Sequence, residues 1–215
     1  MPKVIITGTG RCGTGYAAKI LTAHGLRCGH EDVFRPLVND VNWRNYQADS
    51  SWIALAHPDY LTRHPVVHCI RNPLHVAASY LRINFFSRTH KKVTKHIREA
   101  QRLVPDICKA EISALDRFSI FYAFCMRRAM KHADITYKTE SMNASVLAAI
   151  FELASINFDK SDFRVDSVPK TINTRKVGAG KVATKVTWDH LFDSLEGPFI
   201  KDIAMRYRYI TKDTL

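Results

Sequence analysis

Two clusters in the N-terminal part of the chain carry residues suited to gripping phosphate. The segment Gly8-Thr9-Gly10-Arg11-Cys12-Gly13-Thr14-Gly15 puts four glycines in eight positions, directly after the β-branched run Lys3 to Thr7. Without Cβ atoms a backbone can wrap an anion and aim several N–H groups at it. A helix opening just behind such a loop adds donors and a partial positive charge. The second cluster is Arg71-Asn72-Pro73, with Ser79 eight residues after the arginine. A guanidinium offers a planar, permanently charged fork for phosphate, and a serine adds a hydroxyl donor. The plainer readings are a tight strand–helix turn for the glycines and a surface ion-pair partner for Arg71.

The loop is not a Walker A sequence. That motif ends in Gly-Lys-Ser/Thr, with the lysine on the transferred phosphoryl group. Here Gly13 is followed by Thr14 and Gly15, and the cation comes earlier, as Arg11. Gly8, Gly10 and Gly13 also satisfy GxGxxG, and Asp32, nineteen positions past Gly13, is a candidate ribose-binding acid. A dinucleotide-binding reading therefore stays open at this point.

The elements that must position these residues follow from periodicity. Lys3 to Thr7, Trp52 to Ala56 and Val66 to Ile70 read as buried parallel strands, and Asp134 to Tyr137 as another strand. Ala17, Ile20, Leu21 and His24 share one helical face, and that helix stops at Gly25. Pro73 suits the first turn of a helix through Val76, Ala77, Tyr80 and Leu81. Leu115, Phe118, Phe121, Tyr122, Cys125 and Ala129 have the spacing of a long amphipathic helix, and Ala144 to Ala154 of a further one. Arg88 to Arg102 is strongly basic, and residues 88–132 read as a helical, basic sub-region of a single 1–215 domain. Strands alternating with helices predict an α/β fold with a parallel sheet. Arg71, at the carboxyl end of one strand, then sits where open α/β sheets bind ligands.

Composition bounds the function. The 215 residues are 46% hydrophobic and 24% charged, enough for a sizeable core without staples. Thirty-two Lys and Arg against twenty Asp and Glu leave a net charge of +12, which implies an anionic partner. Nucleic acid is disfavoured, because aromatics are not interleaved with the basic run; Phe85 and Phe86 lie beside it. Five cysteines, odd in number and without CxxC spacing, argue against a secreted disulfide framework and a zinc ribbon. His64 and His68 are four apart, but Pro65 prevents a helical metal pair. Cys12 reads as packing beside the phosphate rather than as redox chemistry. The opening residues run straight into a strand, and no window reaches the length of a membrane span. The expectation is a cytoplasmic protein.

Two separate phosphate clusters, one a glycine loop without the Walker lysine, resemble the PAPS-dependent sulfotransferase family. PAPS is 3′-phosphoadenosine-5′-phosphosulfate, a nucleotide with phosphate at both ends of its ribose. Gly10-Arg11-Cys12-Gly13-Thr14-Gly15 is similar to that family's 5′-phosphosulfate loop, Pro-Lys/Arg-Ser-Gly-Thr-Thr, with Cys12 and Gly15 as departures. Arg71, Pro73 and Ser79 match its 3′-phosphate motif. Tyr137-Lys138-Thr139-Glu140-Ser141 loosely resembles its Tyr-Glu-Asp-Leu segment, and Arg175, Lys176 and Gly178 its Arg-Lys-Gly loop, interrupted by Val177. Arg27-Cys28-Gly29-His30-Glu31 resembles the Arg-Cys-Gly-Glu-Glu segment of tyrosylprotein sulfotransferases, which carries the base onto Glu31. His57, in His57-Pro58, echoes the Thr-His-Leu-Pro of cytosolic members and is the rival base.

The resemblance implies a P-loop NTPase-like three-layer α/β fold, with a central parallel sheet of four or five strands flanked by helices. It implies sulfuryl transfer from PAPS to a hydroxyl or amine of a small-molecule, glycan or peptide acceptor, leaving PAP, with no metal required. Cofactor-binding positions would be Arg11, Cys12, Gly13, Thr14, Gly15, Tyr16, Arg71, Ser79, Arg175 and Lys176; Glu31, Arg11 and His57 would be catalytic. The alternatives are a P-loop kinase using ATP and magnesium, and a non-catalytic basic nucleotide- or nucleic-acid-binding module.

Overall fold

Val4-Ile5-Ile6-Thr7 is apolar or β-branched at every position, and all four side chains are fully buried. A strand buried on both faces belongs inside a parallel sheet. In the computed structural model, which describes residues 2–86, 94–109, 111–164 and 185–211, this segment is the central strand β1 (Val4–Thr7). The sheet has five strands, all parallel: β1, β2 (Cys28–Gly29), β3 (Ala48–Ser50), β4 (Val66–Ile70) and β5 (Ile135–Lys138), in the order β2-β3-β1-β4-β5. Helices flank it: the fold is α/β, as the alternation predicts. Dinucleotide folds place the second strand beside the first. Here β3 lies between them, so the order departs from the dinucleotide alternative.

One strand falls elsewhere than expected. The run Trp52 to Ala56 was read as a strand, but the strand is Ala48–Ser50 and Ile53–Ala56 is a turn of 3-10 helix. Two bonds turn the chain. The Ser51 N–H donates to Ile6 O at 2.9 Å, and the Ser51 hydroxyl oxygen accepts from the Ile53 N–H at 3.0 Å. Ile53, Ala54 and Leu55 are fully buried after that turn, so burial, not strand geometry, accounts for their apolar character.

The described residues fall into two compact units, Met1–Arg71 with Arg127–Lys176, and Asn72–Met126 with Val177–Leu215. The first holds the sheet. Side-chain alternation sends Val4, Ile6, Ala48, Val67, Cys69 and Tyr137 to one face, where they pack with α1 (Thr14–Ala23) through Ala17, Ile20 and Leu21. A short helix, α2 (Pro58–Arg63), precedes β4.

In the second unit, α3 (Pro73–Arg82) opens with Pro73 in its first turn and the Asn72 side chain accepting from the Leu74 N–H. Tyr80 stacks on Phe86, with centroids 5.7 Å apart, and meets Phe85 edge-on at 4.9 Å. The basic run is helical over α4 (Thr94–Leu103), with Lys95 and Arg98 exposed and Ile97 and Ala100 buried; its positions 88–93 lie outside the described residues. The long amphipathic helix is α5 (Ala114–His132), whose Phe118 and Phe121 join the Tyr80 cluster.

After β5 the first unit adds α6 (Ala144–Leu153). Its Leu147, Ile150 and Phe151 complete the core on the α1 side of the sheet. Asn143 caps it, accepting from the Ser145 and Val146 N–H groups. The C-terminal region supplies α7 (Trp188–Phe192) and α8 (Gly197–Arg206) to the second unit. Among the described residues no helix is long and apolar enough to cross a membrane.

Candidate functional site

The loop after β1 is shaped by close approach. A Cβ on Gly8 would run into the Cys69 carbonyl oxygen and the Cys12 sulfur. Gly13 is the N-cap of α1 in a left-handed conformation, φ +112°, and a Cβ there would strike the Thr139 side chain. Arg11 is also left-handed, φ +67°, although it is not glycine. The loop closes on itself through Cys12 N–H to Thr9 O at 3.3 Å and enters the helix through Ala17 N–H to Gly13 O at 2.9 Å. No side chain caps this end of α1. The first-turn N–H groups of a helix lack intrahelical acceptors, so this end presents backbone donors.

Three other strand ends converge on that loop within the same unit. Arg71, immediately after β4, donates from Nη1 to the Arg11 carbonyl oxygen at 3.4 Å. His30, just past β2, brings its Nε2 within 3.3 Å of Thr14 Oγ1. Thr139, just past β5, donates its hydroxyl to the Cys12 carbonyl oxygen. At the sheet's carboxyl edge Arg11, Arg71 and Lys138 follow or end β1, β4 and β5, with Glu140 two residues past Lys138, and Glu31, Asp32 and Asp49 lie on or beyond β2 and β3.

The turn that carries His30 and Glu31 is held by a buried carboxylate. Asp49, fully buried on β3, accepts from the N–H groups of Asp32 and Val33 at 3.2 Å each and of Phe34 at 3.4 Å. Burial pushes its carboxyl up to about 7, against the lowering effect of those three donors. Asp32 accepts from the His30 N–H at 3.0 Å, so the acid considered for a ribose hydroxyl serves its own turn. Glu31 is half-buried at φ +61°, a second non-glycine residue in the left-handed region. Such positions cost on the order of 1–3 kcal/mol each; Leu37, Arg44, Asn84, Ser155 and Arg208 share the conformation elsewhere in the chain.

The remaining candidates are placed as follows. Cys12 turns its side chain inward, Sγ 3.2 Å from Cys69 Sγ, and so offers the site backbone rather than sulfur. Tyr16 is partly buried, and burial raises its pKa. His57 is 8% exposed, with its ring 5.4 Å from Phe34 and 6.1 Å from Tyr60. Ser79 is buried on α3, in the second unit. Arg175 and Lys176 lie outside the described residues. Among those described, no group of three or more His, Cys, Asp or Glu is arranged to hold a metal ion.

Sequence reasoning missed Asp49 and the anchoring role of Thr139. Comparison with protein-family models, with curated proteins and with solved structures finds no match.

Proposed function

We propose that the chain is a PAPS-dependent sulfotransferase on a P-loop-like sheet. The observation that carries this reading is the contact between Arg71 and the glycine loop, which unites the two phosphate elements found separately in the sequence. Gly8 and Gly13 are kept glycine by Cys69, Cys12 and Thr139, whose close packing fixes the shape of the loop that would hold the phosphate. Arg11 and Arg71 at the loop fit a site that holds an anion, and Glu31 on the turn beyond β2 fits a group that takes a proton.

In this reading the N–H groups of Gly13 to Gly15 and the Thr14 hydroxyl hold the 5′-phosphosulfate. Arg71 holds the 3′-phosphate. The acceptor oxygen or nitrogen attacks sulfur, the bond from sulfur to the bridging oxygen breaks, and Arg11 stabilises charge on that oxygen. Glu31 takes the acceptor proton. It is preferred to His57 because its turn touches the glycine loop through His30, whereas His57 packs among aromatic rings.

The test is thermal melting with adenosine 3′,5′-bisphosphate and, separately, with ATP and magnesium. At about 100 times its Kd the bisphosphate should add roughly 2.7 kcal/mol, which for a chain this size raises Tm by about 5–10 °C. A shift with ATP–magnesium alone would overturn the reading in favour of a kinase.

A further inference from the structure

Three thiols gather on one face of the sheet beneath the glycine loop. Cys28, Cys69 and Tyr137 share that face by register, and Cys12 reaches it from the loop. Two of the thiols touch: Cys12 Sγ and Cys69 Sγ are 3.2 Å apart, inside the sum of two sulfur radii, and both residues are at most 1% exposed. None of the five cysteines is in a disulfide. Cys12 is set by the loop and by Thr139 on its carbonyl, and Cys69 by the sheet, so the contact is fixed from both sides. Gly8 lies against both, since a Cβ there would meet the Cys69 carbonyl and the Cys12 sulfur.

We propose that Cys12 and Cys69 are an oxidative modification site, a thiol pair that peroxide converts to a reversible disulfide tying the glycine loop to the end of β4. Cys12 stands one residue before the N-cap of α1, on the loop itself. Its sulfur attacks hydrogen peroxide, the O–O bond breaks, and a sulfenic acid forms with release of water. The Cys69 sulfur then attacks the Cys12 sulfur, the S–O bond breaks, and a second water leaves. Two thiols lose two electrons and two protons, and peroxide takes up both. Peroxide is little larger than water and gains entry by local opening of the loop. Cys28 is the poorer partner. Its thiol donates to the Gly29 carbonyl at 3.3 Å, and the nearby Asp49 and Asp32 carboxylates oppose its thiolate.

A disulfide needs sulfurs about 2.05 Å apart. Closing the gap from 3.2 Å moves the loop backbone, so oxidation should weaken anion binding there. That consequence rests on the phosphate reading; the bond itself does not.

The experiment treats the reduced full chain with hydrogen peroxide, alkylates with N-ethylmaleimide under denaturing conditions, and maps tryptic peptides. Expected are three alkylated thiols instead of five, a mass about 2 Da lower before alkylation, and a link between residues 12–19 and 64–71. Dithiothreitol should remove the link, and Cys69→Ala should never form it. Five alkylated thiols after treatment, a link through another cysteine, or a product that dithiothreitol does not reverse would overturn the site. Melting with adenosine 3′,5′-bisphosphate tests the consequence: the shift should shrink on oxidation and return on reduction. An unchanged shift in the linked protein overturns the effect on the loop. No shift in the reduced protein counts against the phosphate reading, and the peptide map still decides the modification site.

Discussion

His68 and Asp49 place opposite acid–base demands on one sheet. His68 is fully buried on β4 opposite Thr7 of β1, and neither ring nitrogen has a hydrogen-bond partner among the described residues. Burial lowers its pKa from 6.5 to about 4. Between those values the unfolded chain binds a proton that the folded chain refuses. The contribution is complete above pH 6.5 and lost as pH falls toward 4, about 3 kcal/mol in all at 1.36 kcal/mol per pH unit. Asp49 acts with the other sign. Its carboxyl, raised from 3.8 to about 7, keeps a proton that the unfolded chain has released. That contribution is complete below pH 3.8 and lost as pH rises to 7, about 4 kcal/mol. From about pH 4 to 6.5 the two slopes cancel.

Replacing His68 with Leu removes one of them. Relative to the native chain, His68→Leu should gain about 3 kcal/mol as pH drops from 6.5 to 4. At pH 7 it should be no less stable, since two unpartnered nitrogens give way to hydrocarbon. Asp49→Asn should show the reverse trend. Urea unfolding at half-unit pH steps and constant ionic strength measures this, and the difference between variant and native chain cancels every other titrating group. A His68→Leu difference that stays flat from pH 4 to 6.5 would refute the reasoning.

Arg71→Ala should weaken binding of adenosine 3′,5′-bisphosphate by about 10- to 100-fold, the worth of a charged hydrogen bond, as read by calorimetry. Glu31→Gln should leave that affinity intact and cut turnover by about 10²–10⁴, as expected for a lost general base; an equal loss of both would count against its role. At Arg11 the usual preference for alanine over glycine should invert. Arg11→Gly should melt above Arg11→Ala by the equivalent of about 0.5–2 kcal/mol, because both lose the same side chain and only glycine accepts φ +67° freely. Alanine melting higher would rule out the left-handed backbone there.

What the sequence made legible is what local chemistry dictates. Runs such as Val4–Thr7 and Val66–Ile70 announce themselves because a strand buried on both faces is apolar nearly throughout, with Thr7 and His68 the exceptions. Arg71 was placed at a strand tip by that logic, since the residue after a parallel strand's last apolar position lies on the ligand edge. The three-residue strand Ala48–Ser50 was not legible, because two of its residues are polar and its burial comes from neighbours on β1 and β2. Asp49 was missed for the same reason: a buried carboxylate is tolerable only when donors surround it, and its donors come from residues 15 to 17 positions earlier. Whether two cysteines 57 residues apart touch depends on strand order and on side-chain parity together. Neither is written in the spacing of either cysteine. Contacts of this kind are set when β1 and β4 become neighbours, so the molecule's least legible features are those that lie between strand ends rather than along them.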